Sequence, residues 1–445
     1  MNVSLLKRVS AVAVLAALVL ASVVHFRAEG EPDMPPLPKD QDDVYAYYKL
    51  GFLPDGMPGR RTSDGLVAHP IYGPYVIADY IRQWDRFKED RFLRAARRVA
   101  DAALSRMERH EGALVFRYPA ELSSFPAGKY SGLTQSRYLE TLHQLYLATS
   151  DPAYRDASER VLASLSVPTS KGGVSRQVMG GATIEELPLE AMGTYTLNGW
   201  LTAMIIVSEY AEATGSAQAK EIFARNVDAL REMLPLFDIP EIANSRYKLA
   251  GKTKIRILFK DAGRVESASI FVPGEGKMPI VETKDHGGWN NYFSKSSDSS
   301  VTANVLVNYI STPRPNELHV TLGADKETTA EVQIRKHVYT VQSVSSDNEW
   351  QTIATLPAGP NSRLATVELP WSELGDVIHP TLFSKKLAGK LYNVYHYMHI
   401  SLLEKLASKT GEPSFASYAA KWKTYAAMWP GMPLYAKAGV ELAPY

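Results

Sequence analysis

The sequence predicts an α+β multidomain protein: an incomplete (α/α) toroid of repeated helical hairpins, interrupted by an antiparallel β-sandwich-like insertion. Three observations predict it. Four pairs of segments carry apolar residues at helical spacing and are joined by short polar links, the arrangement of a repeat. Between the third and fourth pairs, from Lys254 to about Trp371, the pattern alternates at period two with Gly, Pro, Asn and Asp between the runs, which reads as short strands. The chain has 445 residues, 45% hydrophobic and 22% charged, enough for two or three domains with a large core.

Taken in order, Lys7 and Arg8 precede an uncharged apolar run from Val9 to Val24. That order is the one of an export signal, so residues 1–27 are expected to be a signal peptide or an N-terminal membrane anchor, with the body outside the cytoplasm. Residues 28–65 read as a linker and N-terminal extension, its first part rich in proline and acidic residues. The first part of the toroid is expected over 66–250, from hairpins at 77–107, 138–165 and 201–234. The inserted sandwich-like domain follows over 251–380, and the last hairpin and tail over 381–445. The turn dipeptides Thr214-Gly215 and Thr410-Gly411 echo one another. Each hairpin has one apolar side, and stacking hairpins around an axis buries it while leaving a groove lined by the links.

Composition excludes several function classes. Lys plus Arg number 49 against 48 Asp plus Glu, so no global charge points to nucleic acid. The chain has no cysteine, which removes disulfides, thiol catalysis and thiolate metal sites. The 24 tyrosines offer flat apolar faces with hydroxyls, a surface suited to carbohydrate. Trp289, Asn290, Asn291 and Tyr292 could bind sugar from a loop of the insertion, though a surface turn explains them as well.

Four stretches carry candidate chemistry. Leu391 to Ile400 reads LYNVYHYMHI, which places Tyr395 and His399 four apart on one helix face. His396 and His399, three apart without a nearby acid, read as hydrogen-bonding residues rather than metal ligands, and no cofactor is called for. The link from Ser170 to Asn198 holds Arg176, a bidentate clamp for a carboxylate, then the acids Glu185 and Glu186, and ends with Asn198 in the first turn of a helix. Met233 to Tyr247 ends the third hairpin with Asp238, Arg246 and Tyr247.

The motifs MLPLFD, TLNGW and EELP, the Tyr395-His396-x-x-His399-Ile400 pattern and the segment FASYAAKWKTY resemble the C-terminal helical domain of the D-glucuronyl C5-epimerases. Lys129 to Asp151 is similar to the segment that opens that domain. The resemblance runs from about residue 128 to 425, outside the β insertion. It implies inversion at C5 of glucuronate within a heparan-type polysaccharide. It also implies that the catalytic glutamate falls on Glu186, the catalytic tyrosine on Tyr395 and a further active-site tyrosine on Tyr247. Leu187 stands where the family has a tyrosine, and in the animal enzymes the β domains precede the helical domain instead of interrupting it.

The chemistry suits those residue types. Removing the weakly acidic proton beside a carboxylate and returning one on the other face needs two groups flanking the ring. Glu186 and Tyr395 are expected on opposite faces, with Tyr247 supporting one of them. Arg176 or Arg246 would neutralise the substrate carboxylate. Asn198, His396 and His399 would hold the substrate or the tyrosine. The rival enzyme is a uronate polysaccharide lyase, which abstracts the same proton and expels the O4 substituent by β-elimination. A glycoside hydrolase would instead need paired carboxylates across the groove. A non-catalytic glycan-binding protein is the rival of another class. The expected partner is a uronate-containing polysaccharide; attachment to the membrane through the N-terminal segment and a homodimer are left open.

Overall fold

The computed structural model of the protein describes residues 33–445 apart from 123–124, 191, 283–290, 298, 309–314, 362, 371–378, 388, 437–440 and 444. The expected signal or anchor therefore lies outside the described residues, as do Trp289 and Asn290. Among the described residues no helix is long and apolar enough to cross a membrane. The chain divides into two compact units, Met1–Met107 with Gln144–Asp151, and Glu108–His143 with Pro152–Tyr445.

Helices form at all four places where helical spacing predicts a hairpin. The pairs are α1 (Tyr72–Phe87) with α2 (Asp90–Leu104), α3 (Gly132–Thr149) with α4 (Pro152–Ser164), α5 (Leu197–Thr214) with α6 (Ala217–Met233), and α7 (Val394–Thr410) with α8 (Pro413–Met428). Three of the turns share one chemistry, which the Thr-Gly echo only hinted at. Thr149, Thr214 and Thr410 each turn the hydroxyl back to the carbonyl four residues earlier, at 2.6, 2.7 and 2.7 Å. The same hydroxyls then accept from the amides of Asp151, Ser216 and Glu412. Between them sit Ser150, Gly215 and Gly411 in the left-handed region, with φ of 57°, 73° and 69°. A left-handed residue ends an α-helix by turning its last amide back on the ladder, so each hairpin stops and reverses by the same local rule.

In the first unit, α2 buries Phe92, Ala95, Ala96, Val99 and Ala103 along one stripe and leaves arginines on the other. In the second unit, α5 is buried on nearly every face, and both α6 and α7 pack against it.

The period-two segment forms two sheets. The six-stranded sheet has the order β8-β9-β10-β5-β12-β13, where β5 is Ala250–Phe259, β8 Val281–Glu282, β9 Tyr292–Ser297, β10 Ser300–Asn308, β12 Thr328–Thr340 and β13 Ser343–Ala358. The four-stranded sheet has the order β7-β6-β11-β14, with β6 Arg264–Val272, β7 Gly276–Pro279, β11 Glu317–Gly323 and β14 Leu364–Glu368. All neighbours are antiparallel except β8 and β9. Side chains from both sheets bury into one cluster, among them Ile255, Ile257, Val305 and Val332 from the larger and Ile270, Leu318, Val320 and Val367 from the smaller. The opposite parity faces outward, where Arg256 donates to Gln333 and lies over the Trp350 ring.

The ends of this module are paired to each other. Tyr247 N donates to His379 O at 2.7 Å, Thr381 N donates to Ser245 O at 2.9 Å, and Arg246 bridges Pro380. The chain thus leaves the helical body and re-enters it through one narrow stem.

Candidate active site

Three segments meet at the start of α5. The first is the loop that follows the hairpin of β1 (Ser175–Val178) and β2 (Gly181–Ile184). It carries Glu185 and Glu186, which do different work. Glu185 is 1% exposed. One of its carboxylate oxygens accepts from the amides of Thr194 and Tyr195 and from the Thr194 hydroxyl, at 2.8 to 3.1 Å, and the other from the Thr183 hydroxyl. A buried carboxylate with that many donors is an anchor for the loop. Burial still raises its pKa, opposed chiefly by the nearby Arg176.

Glu186 has no such donors. It is half-buried, and its Oε2 is out of contact with solvent and without a hydrogen-bond partner. That oxygen lies against Gly199, in the first turn of α5, where any Cβ would overlap it. The glycine of TLNGW is therefore the space into which Glu186 folds. Burial pushes the Glu186 carboxyl up to about 7, against the pull of Lys248 and with a push from Glu185. A carboxyl with that value is half ionised near neutrality, the condition in which a general base can both take and return a proton.

The other residues of that motif fix α5. Leu197 N donates to Tyr247 O at 2.9 Å and Leu249 N donates to Thr194 O at 3.2 Å, so the second segment, 247–249, is stitched alongside the loop. Trp200 Nε1 donates to Asn226 Oδ1 at 2.7 Å and pins α5 to α6. Asn198 is buried, and its Oδ1 has no partner.

The third segment is the start of α7, where Tyr395 packs on Tyr247 with ring centroids 4.6 Å apart. Both tyrosines are half-buried. Asn393 caps the helix by accepting from His396 N at 3.2 Å. His396 and His399 are 0% exposed, and the hydroxyl of Ser245 sits between them, 2.8 Å from His396 Nδ1 and 2.9 Å from His399 Nδ1.

The direction of this relay follows from its ends. His396 Nε2 lies 2.9 Å from the Trp422 carbonyl, which can only accept, so Nε2 carries the proton. Burial holds His396 at about 4 and His399 well below the ordinary histidine range, so both rings are neutral. His396 Nδ1 then accepts from Ser245, Ser245 accepts from His399 Nδ1, and His399 Nε2 is a bare lone pair. Ser245→Ala would strand two buried ring nitrogens and should cost about 1–3 kcal/mol, measured as a lower denaturant midpoint with unchanged m.

Asp238 ties the remaining motifs together. It accepts from Lys421 at 2.6 Å, Trp422 Nε1 at 2.9 Å and Tyr425 OH at 3.4 Å, joining MLPLFD to FASYAAKWKTY.

Of the residues singled out from sequence, Glu186, Asn198, Tyr247 and Tyr395 lie on these three contiguous segments. The two arginines differ from expectation. Arg176 is buried in an ion pair with Glu275, 2.8 Å away, and also donates to the Leu189 carbonyl. Arg246 is 4% exposed and donates through Nε to Leu236 O. Glu275 and the Leu189 carbonyl thus take the two terminal nitrogens of Arg176, and the Leu236 carbonyl takes Nε of Arg246. His396 and His399 serve Ser245, inside the protein, rather than a surface. Sequence reasoning passed over Lys248, Gly199 and Ser245, although each stands beside a residue it named.

Glu186 lies against the first turn of α5, and the backbone of Tyr247, whose ring packs on Tyr395, is bonded to the same turn. Residues 109–258 match the family model described as the D-glucuronyl C5-epimerase C-terminus. The motifs at Tyr395 and Phe415 lie beyond the matched residues. An uncharacterized protein of Methanocaldococcus jannaschii is 28% identical over 130 residues, 28% of this chain and 42% of that one. The D-glucuronyl C5-epimerase of Caenorhabditis elegans is 26% identical over 125 residues, 25% of this chain and 20% of that one. The chain thus spans less than half the length of these relatives. Among solved structures, a family 8 endoglucanase from Klebsiella pneumoniae aligns over 43% of this chain and 59% of its own, with 16% identity and a TM-score of 0.31.

Proposed function

We propose that the chain is a carbohydrate epimerase that inverts C5 of glucuronate residues in a polysaccharide. The observation that carries the reading is half-buried Glu186, whose Oε2 is enclosed without a hydrogen-bond partner against the first turn of α5, the turn to which the Tyr247 backbone is bonded. Ionised Glu186 takes the C5 proton as the C5–H bond breaks. The electron pair spreads into the adjacent carboxylate, whose growing charge Lys248 offsets. Tyr395 then gives its phenolic proton to C5 from the opposite face, Tyr247 supports its ring, and solvent restores both groups. Asn198 Oδ1 is available to accept from a sugar hydroxyl. Toroidal closure of the hairpins belongs to the same proposal, as do export or membrane anchoring through the apolar run from Val9 to Val24.

The test is incubation with a glucuronate polymer in D2O. Deuterium at C5 in chains of unchanged length is the expected result. An unsaturated, ultraviolet-absorbing end would make the protein a lyase, and binding without exchange would make it a glycan-binding protein.

A further inference from the structure

One side chain of the inserted module, Glu275, enters the loop beside the site. β6 and β7 are joined by Pro273-Gly274-Glu275, closed where Val272 pairs with Gly276. Gly274 and Gly276, with φ of 80° and 88°, allow the tight turn. Glu275 leaves this turn and enters the loop that bears the two glutamates. Its Oε1 accepts from Gly193 N at 2.8 Å and from the Tyr195 hydroxyl at 3.2 Å, and its Oε2 accepts from Arg176 at 2.8 Å. Its side chain is 9% exposed, so these are enclosed contacts and not a rim.

What it holds is strained and close to Glu186. Tyr195 has φ of 52°, unfavourable for a residue with a Cβ. The same residue donates its amide to Glu185. Gly193 lies so near the Tyr195 ring that a Cβ there would overlap it. The turn 193–195 is therefore gripped between Glu275 on one side and Glu185 on the other, and Glu186 is the next residue along.

We propose that Glu275 is a positioning residue for the reaction: by clamping Arg176 and the turn 193–195, it sets where Glu186 stands, which makes the β module a working part of the site. The proposal rests on the epimerase reading. An ion pair buried this deeply does little for stability over an apolar pair of the same shape, whereas a fixed geometry within the site has a direct effect on rate. The pair also has an electrostatic consequence. Arg176 acts on Glu185, and Glu185 acts on Glu186. Glu275 balances the guanidinium, and without it the uncompensated cation favours ionisation of Glu185, whose charge pushes the Glu186 carboxyl further up.

The test uses the full chain with Glu275→Ala and Glu275→Gln, read by amide hydrogen exchange at Thr194 and Tyr195 and by the pH profile of C5 exchange. Glu275→Ala should speed exchange at both amides about tenfold or more, the equivalent of one lost charged hydrogen bond, and lower kcat with KM little changed. Glu275→Gln keeps an acceptor for Gly193 and Tyr195. It should restore most of the amide protection while moving the acid limb of the profile to higher pH. If Glu275→Ala is too unstable to assay, Glu275→Gln alone decides. A profile and amide protection both unmoved in Glu275→Gln would overturn the proposal, since a purely structural contact would not shift the limb. If the wild-type protein shows no C5 exchange, the epimerase reading fails, and the amide data still decide whether Glu275 holds the loop.

Discussion

Glu186→Gln should slow C5 exchange, lowering kcat by about 10²- to 10⁴-fold, the usual contribution of a positioned base, and it should also make the protein more stable above neutral pH. The second effect follows from the first group's burial. The carboxyl rises from 4.5 in the unfolded chain to about 7 in the fold. Below pH 4.5 it is protonated in both states and contributes nothing. Between 4.5 and 7 the unfolded chain releases the proton first, so folding loses stability as pH rises, and above 7 the loss is complete. Glutamine has no such dependence. Thermal midpoints of wild type and variant should therefore converge near pH 4 and diverge by pH 8, with the variant higher. In the wild type, C5 exchange should rise with pH through about 7 for the same reason. A wild-type profile flat from pH 5 to 8 would remove Glu186 as the base.

Gly199→Ala separates activity from stability in the opposite way to most core changes. Alanine is favoured over glycine in a helix by up to about 1 kcal/mol, and Gly199 lies in the first turn of α5, so backbone propensity favours the variant. Its methyl, however, meets the Glu186 carboxylate. The carboxylate is the movable partner, and a displacement of about 1 Å at a catalytic group can cost on the order of 10²-fold in rate. The expected result is a well-folded protein with an unfolding midpoint near wild type and C5 exchange reduced by about that factor. Full activity would show that Glu186 works from a different position.

The helices were legible because their apolar spacing is local and because three of the hairpins end in the same Thr-turn chemistry. The strands were legible because two faces with opposite environments impose strict alternation, as between Ile255 inside and Arg256 outside. The motifs around Glu186 and Tyr395 pointed to segments that are linked through the start of α5 and the Tyr247 backbone. Arg176 was misread because a guanidinium in a glycine-rich loop looks the same whether its carboxylate belongs to a ligand or to a residue 99 positions away. The partner that His396 and His399 share was hidden for the same reason, since Ser245 lies 151 and 154 positions earlier. Lys248 acts through space on a residue from another loop, and nothing in its immediate sequence indicates that.

The paired stem formed by Ser245–Tyr247 and His379–Thr381 bears on how such a protein can change over generations. Because both ends of the insert are hydrogen-bonded to each other, the spacing between Tyr247 and Tyr395 does not depend on how much chain hangs from the stem. A whole domain can be gained, exchanged or trimmed there in one genetic event without moving the two tyrosines apart, since insertions whose ends lie close together are the ones folds tolerate. Once an acquired module offers a side chain such as Glu275 to the neighbouring loop, that freedom ends, and host and guest must evolve together.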